Sequence, residues 1–197
     1  MQLGQKNLDI TYIGGITMVK GINRANATYS ERILFEHASH NKKCVFISHK
    51  SEDKNAAKYV GDLLINAGLD IYLDLNDEGL QQATREQNAS KIVSHIEKAL
   101  TTSTNILVLV TEKTKESWWV PYEIGYAKKG KKDIASLLLK NVDDFPDYLE
   151  IEKKLKGLED LKKYSQELVA FTSLYENASS NIIDQQLERN LLNYIRR

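Results

Sequence analysis

The chain has 197 residues, with 27 Lys plus Arg balanced by 27 Asp plus Glu, so its formal charge is zero. That length suits one domain of about 150 residues plus an extension, large enough to bury a core without disulfide or metal. The balance leaves no basic footprint for a nucleic acid or a membrane surface, and no apolar run reaches the length of a membrane span. The opening residues lack a signal peptide's charged start and long apolar core, which points to a cytoplasmic protein.

Residues 1–40 read as an extension and 41–197 as the main domain. Asp9 to Val19 carries two β-rich runs around Gly14-Gly15, a two-residue hairpin signal. Ala25 to His37 reads as a short helix with Tyr29, Ile33 and Leu34 along one side. A hairpin is marginal alone, so this arm is expected to dock on the main domain or on another copy.

From Lys43 onward strands and helices alternate. Val45-Phe46-Ile47 is a short apolar strand, opened by the single cysteine, Cys44, which reads as a small buried hydrophobe. A polar turn from Ser48 to Asp53 follows. Ala56, Ala57, Val60, Leu63, Leu64 and Ala67 then recur at helical spacing until Gly68 stops the helix. Leu69 to Leu73 is the second strand. Asp74 to about Gln87 reads as a long polar loop, and long strand-to-helix connections are functional candidates. Ile92, Val93, Ile96, Ala99 and Leu100 mark the next helix, and Ile106 to Val110 a buried strand.

Ser117 to Glu123 follows that strand and leads into a helical stretch, Tyr122 to Lys129. A fourth strand is expected at Ile134 to Leu139 and a charged helix at Tyr148 to Tyr164. A fifth strand is expected at Leu168 to Phe171, and a closing helix carries Ile183, Leu187, Leu191 and Ile195. Such alternation predicts an α/β fold, a five-stranded parallel sheet in flavodoxin-like order with helices on both faces. Glu123 then lies just past the carboxyl end of a strand, where open parallel sheets bind ligands. Trp118 and Trp119 offer flat apolar surface for an aromatic ring. At its blandest, Glu123 is an acidic residue near a helix N-terminus.

Three segments carry a family resemblance. Val45 to Asp53 resembles the opening strand and loop of Toll/interleukin-1 receptor (TIR) domains, and Ile71-Tyr72-Leu73-Asp74 their second strand. Ser117, Trp119 and Glu123 match the family's Ser-x-Trp-Cys-x-x-Glu signature, with Val120 in place of cysteine. The resemblance spans about residues 43–197. It implies either a non-catalytic adaptor acting by self-association or an enzyme that cleaves NAD+ as substrate at the nicotinamide–ribose bond. The bacterial type includes the TIR component of the Thoeris antiphage system, which makes a diffusible nucleotide for a separate effector protein.

The enzyme reading makes Glu123 the catalytic carboxylate. One carboxylate suffices there, because nicotinamide leaves as a neutral molecule and needs no proton, unlike an ordinary glycosidic leaving group. Ser48, His49, Lys50, Asp74 and Trp119 are the expected substrate contacts, with Trp119 on the pocket side and Trp118 turned to the core. Glu123 itself is expected at a pocket rim. Ser51 and Asp53 read more economically as helix caps. His37, His40 and His95 show no metal-ligand spacing, and no metal or resident cofactor is expected. A nucleoside deoxyribosyltransferase-like enzyme is the remaining alternative, and it needs a second carboxyl as general acid. The loop from Asp74 to Gln82 has the family's glycine but not its Pro-Gly pair, which leaves the assembly geometry open. Leu80 lies nearest its tip.

Overall fold

In the computed structural model, the described residues are 10–13, 16–26, 43–76, 78–172 and 184–197. The expected helix after Ala25 and residue Ile183 fall outside them, apart from a single 3-10 turn at Arg24–Asn26. Strands β1 (Ile10–Ile13) and β2 (Ile16–Val19) pair antiparallel as the expected hairpin, with Ile10 opposite Val19.

The main sheet holds β3 (Cys44–Ser48), β4 (Asp70–Tyr72), β5 (Asn105–Val110), β6 (Asp133–Leu138) and β7 (Lys153–Leu155). Their spatial order is β4-β3-β5-β6-β7, all parallel, which is the expected flavodoxin-like order. Every residue of β3 and β5 is buried, as strands covered on both faces require. The pleat divides them between two cores. Val45, Ile47, Leu107 and Leu109 join the helices α1 (Lys54–Asn66), α5 (Leu158–Thr172) and α6 (Gln185–Leu191) on one face. Cys44, Phe46, Ile106, Val108 and Val110 face α3 (Ala89–Thr102) and α4 (Trp119–Lys129) on the other. Cys44 is fully buried, and burial pushes its thiol up to about 12, so it behaves as the small hydrophobe expected.

Gly68 ends α1 as anticipated. Its φ of 92° is left-handed, and two bonds, Gly68 N–H to Ile65 O and Leu69 N–H to Leu64 O, close the helix.

Three expected elements are corrected, the first being the charged helix expected from Tyr148, which begins only at Leu158. Leu168 to Phe171 is no strand but the last turns of α5, and the fifth strand is Lys153–Leu155. That strand is three residues long and two of the three are lysines, so its pattern carries no apolar run. Being at the sheet edge, it buries only Leu155 fully. The segment Asp74 to Gln87 is also not a long loop. It forms a 3-10 turn at Asp74–Asn76 and then α2 (Glu78–Arg85), with Gly79 inside the helix.

The stretch before the domain runs along β4. Gly21 N–H bonds Ile65 O, Ile71 N–H bonds Ile22 O, and Asn23 bridges Ile71 in parallel. A Cβ on Gly21 would stand 1.7 Å from Leu69 O, so only glycine permits this approach. Arg24 buries its guanidinium against Asp70, with Nε and Nη2 each 3.0 Å from Oδ2 and Nη1 on Thr102 O.

Candidate active site

Ser48 is the last residue of β3 and is buried where the sheet's carboxyl ends meet α4. Helix α4 starts at Trp119, earlier than the sequence pattern suggested, and the Ser117 hydroxyl accepts a hydrogen bond from Val120 N–H at 3.3 Å. The signature serine therefore helps to satisfy the free amides at the helix start.

Within α4 the buried residues are Val120, Glu123, Ile124 and Ala127. Their spacing of three, four and seven is one helical stripe, so the carboxylate occupies a position that its neighbours fill with apolar side chains. Glu123 is 8% exposed, which corrects the expectation of an open rim position. The stripe was readable in the sequence. What hid it was starting the helix at Tyr122, which leaves Val120 outside.

Ser48 Oγ donates to Glu123 Oε2 at 2.5 Å, across 75 positions of sequence. Burial pushes the Glu123 carboxyl up to about 8; the Ser48 hydrogen bond pulls it down, and the like charge of Asp74 pushes it up further. Asp74 is half-buried and opens the turn that follows β4. Two of the expected residues, Ser48 and Asp74, thus act from adjacent strand ends on a third, Glu123.

His49 and Lys50 are placed differently. His49 is half-buried, with Nδ1 3.3 Å from Ile47 O on its own strand. Lys50 is extended and half-buried, and its carbonyl accepts from Asp53 N–H in the turn that leads to α1. Both border the Ser48 end of the strand, and these hydrogen bonds lie within their own segment.

The tryptophans reverse one expectation. Trp118 is 90% exposed, not turned to the core, because it precedes α4 and falls off the inward stripe. Trp119 is 39% exposed and meets the Tyr122 ring edge-on, with centroids 6.2 Å apart. Tyr122 in turn donates its hydroxyl to Glu97 Oε1 of α3 at 2.6 Å, and that bond pushes the phenol up to about 12. Tyr122 and Glu97 thus brace the aromatic wall, a role the sequence reading did not find. The i to i+3 spacing of Trp119 and Tyr122 was its signal.

Ser51 and Asp53 do not cap α1 with their side chains. Ser51 donates to Glu52 at 2.9 Å, and Asp53 accepts from the Thr111 hydroxyl at 2.9 Å. Thr111 is the first residue after β5 and also accepts in a capping box with Thr114. The Thr111–Asp53 bond ties the loop after β3 to the loop after β5, the two segments that deliver Ser48 and Glu123. A hydroxyl directly after an apolar strand was the clue.

A family model described as Thoeris protein ThsB, TIR-like domain, matches residues 46–144, just over half of the chain. That span includes Ser48, Asp74, Trp119 and Glu123. No curated protein matches the chain. The five-stranded parallel sheet in its doubly wound order agrees with that match, and the chain belongs to the Thoeris ThsB family of TIR-like domain proteins.

Proposed function

We propose that this chain cleaves NAD+ at the nicotinamide–ribose bond and passes the ADP-ribose moiety on as a signalling nucleotide. The observation that carries the reading is Glu123 itself. A carboxylate stands in an otherwise apolar helical stripe, buried at the carboxyl end of a parallel sheet, and bonded to Ser48. Burying a carboxyl there works against folding, so a carboxyl at that place suits chemistry better than structure. Family membership supports a TIR-type role in antiphage defence.

In this mechanism the substrate carries the missing charge. The cationic pyridinium beside Glu123 favours the carboxylate, and Ser48 donates to it and holds it in place. As the C–N bond lengthens, positive charge moves from the pyridinium onto the ribose. The carboxylate, already fixed in a dry site, stabilises that oxocarbenium without reorganising. Nicotinamide departs neutral with the bonding pair, and water or a nucleotide nitrogen attacks the sugar. Where water attacks, its surplus proton passes to the Glu123 carboxylate and from there to solvent. Trp119 stacks on a ring of the substrate, and Asp74 meets a ribose hydroxyl. His49 and Lys50, at the adjacent strand end, meet the diphosphate. The protein works in the cytoplasm, self-associates, and reaches a separate effector through its diffusible product, with no nucleic-acid or membrane partner. Among the described residues no helix is long and apolar enough to cross a membrane.

The test is incubation of the full chain with NAD+, with release of nicotinamide followed for wild type and Glu123→Gln. Release by wild type alone supports the reading, and no release by a folded, self-associated wild type would sink it. One observation favours a second reading. Asp74 acts on Glu123 as a like charge, which supplies the second carboxyl that deoxyribosyl transfer requires. Release of a base from a 2′-deoxynucleoside, with NAD+ untouched, would select that chemistry.

A further inference from the structure

β4 is the edge strand of the sheet and ends at Tyr72, one residue before Leu73 and two before Asp74. Past that end, among the described residues, no strand pairs with the outer side of the chain. Asn23 takes that place. Its side-chain Nδ2 donates to Leu73 O at 2.9 Å, and its Oδ1 accepts from Leu73 N–H at 3.1 Å. One amide thereby satisfies both main-chain groups of Leu73, as a neighbouring strand would.

Asn23 is itself held. Its Oδ1 also accepts from Ala25 N–H at 3.1 Å, and its backbone bridges Ile71 in parallel. Gly21 and Arg24 pin the same segment on either side, at Ile65 and Asp70. The clamp is therefore a fixed point, not a loose side chain. It acts on the last backbone unit before Asp74, and Asp74 is one of the groups that act on Glu123.

We propose that Asn23 is a positioning residue for the catalytic site: by clamping Leu73 it fixes where β4 ends and so where the Asp74 carboxyl stands relative to Glu123. The assignment rests on reading Glu123 as the reactive carboxylate. It gives the stretch before the domain a part in the chemistry, through a contact with the strand that bears Asp74. An asparagine whose only work was to blunt a sheet edge would contribute stability and nothing at Glu123.

The groups acting on Glu123 are the Ser48 hydroxyl from the end of β3 and the Asp74 carboxyl from the end of β4. The experiment follows the Glu123 side-chain carboxyl by carbon-13 NMR titration in the full chain, for wild type, Asn23→Ala and Ile22→Ala. Ile22 belongs to the same segment, and its side chain is partly exposed. Asn23→Ala should lower the Glu123 midpoint by about one pH unit, as Asp74 moves off and water enters. Ile22→Ala should leave it in place. If Asn23→Ala fails to fold, Asn23→Ser, which can keep one of the two bonds, should shift the midpoint the same way by less.

A loss of melting temperature in Asn23→Ala or Asn23→Ser with the Glu123 midpoint unmoved would overturn the proposal. So would an equal shift in Ile22→Ala. The titration needs no turnover, so the two readings fail separately. Absent nicotinamide release with a shifted midpoint counts against NAD+ cleavage alone. Release with an unmoved midpoint counts against Asn23 alone.

Discussion

Two buried carboxyl groups stand at opposite ends of this sheet, and they are treated differently. Asp70 begins the edge strand and meets the Arg24 guanidinium through two nitrogens. Glu123 lies at the carboxyl ends and meets a hydroxyl, with the like charge of Asp74 beside it. A buried charge with an ion partner keeps its charge and ties two segments together. A buried carboxyl without such neutralisation is pushed toward its neutral form, and Glu123 is raised to about 8. The first arrangement holds the arm to the domain. The second holds a proton that a cation placed beside it would release.

The same change, carboxyl to amide, should separate them most sharply. Glu123→Gln should reduce nicotinamide release by about a thousandfold or more, on the scale of lost electrostatic stabilisation in other enzymes. Yet it should not harm the fold. The folded Glu123 is raised above its usual value of 4.5, so its neutral form stabilises fully below that value. That contribution is lost as pH rises through about 8. Glu123→Gln should therefore melt close to wild type at pH 5 and above it at pH 9, and thermal melts at both values check this. Asp70→Asn should do the reverse. It leaves the Arg24 charge buried without its counter-ion, at a cost of roughly 3–5 kcal/mol, visible as a lower denaturant midpoint.

The aromatic wall sharpens the contrast at smaller amplitude. Trp119→Ala should weaken turnover several-fold, chiefly in KM, while Trp118→Ala should change stability by less than about 0.5 kcal/mol, because its side chain is exposed. Kinetics paired with melts on both variants measure the two effects. A large stability loss in Trp118→Ala would mean that it is covered by another copy in solution.

The sheet was legible because its inner strands are continuous apolar runs, Cys44 to Ile47 and Ile106 to Val110, between helices with clear stripes. The edge was not. Lys153–Leu155 has too few apolar residues to announce a strand, and Leu168-Val169-Ala170-Phe171 has the composition of one while finishing a helix. There the tertiary packing of Leu158, Leu161, Tyr164 and Leu168 as one stripe outweighed local preference. At the site, Glu123 was visible from its place after β5 and from the signature around it. Its meeting with Ser48 depends on strand order, and no local pattern carries that. Asn23 was least legible of all, since an asparagine in a turn-rich stretch gives no sign that its amide will serve as a strand.

The central claim is that a buried carboxyl, ionised for the reaction, performs the cleavage, and its pH profile tests this most directly. In the free protein Glu123 must lose a proton before it can act, so kcat/KM for NAD+ should rise about tenfold per pH unit below the midpoint. It should level off above a value near 8. Ser48→Ala removes the hydrogen bond that favours the charged form, and it should move the midpoint upward. A profile that is flat from pH 5 to 9, or one that Ser48→Ala leaves unmoved, would contradict the account.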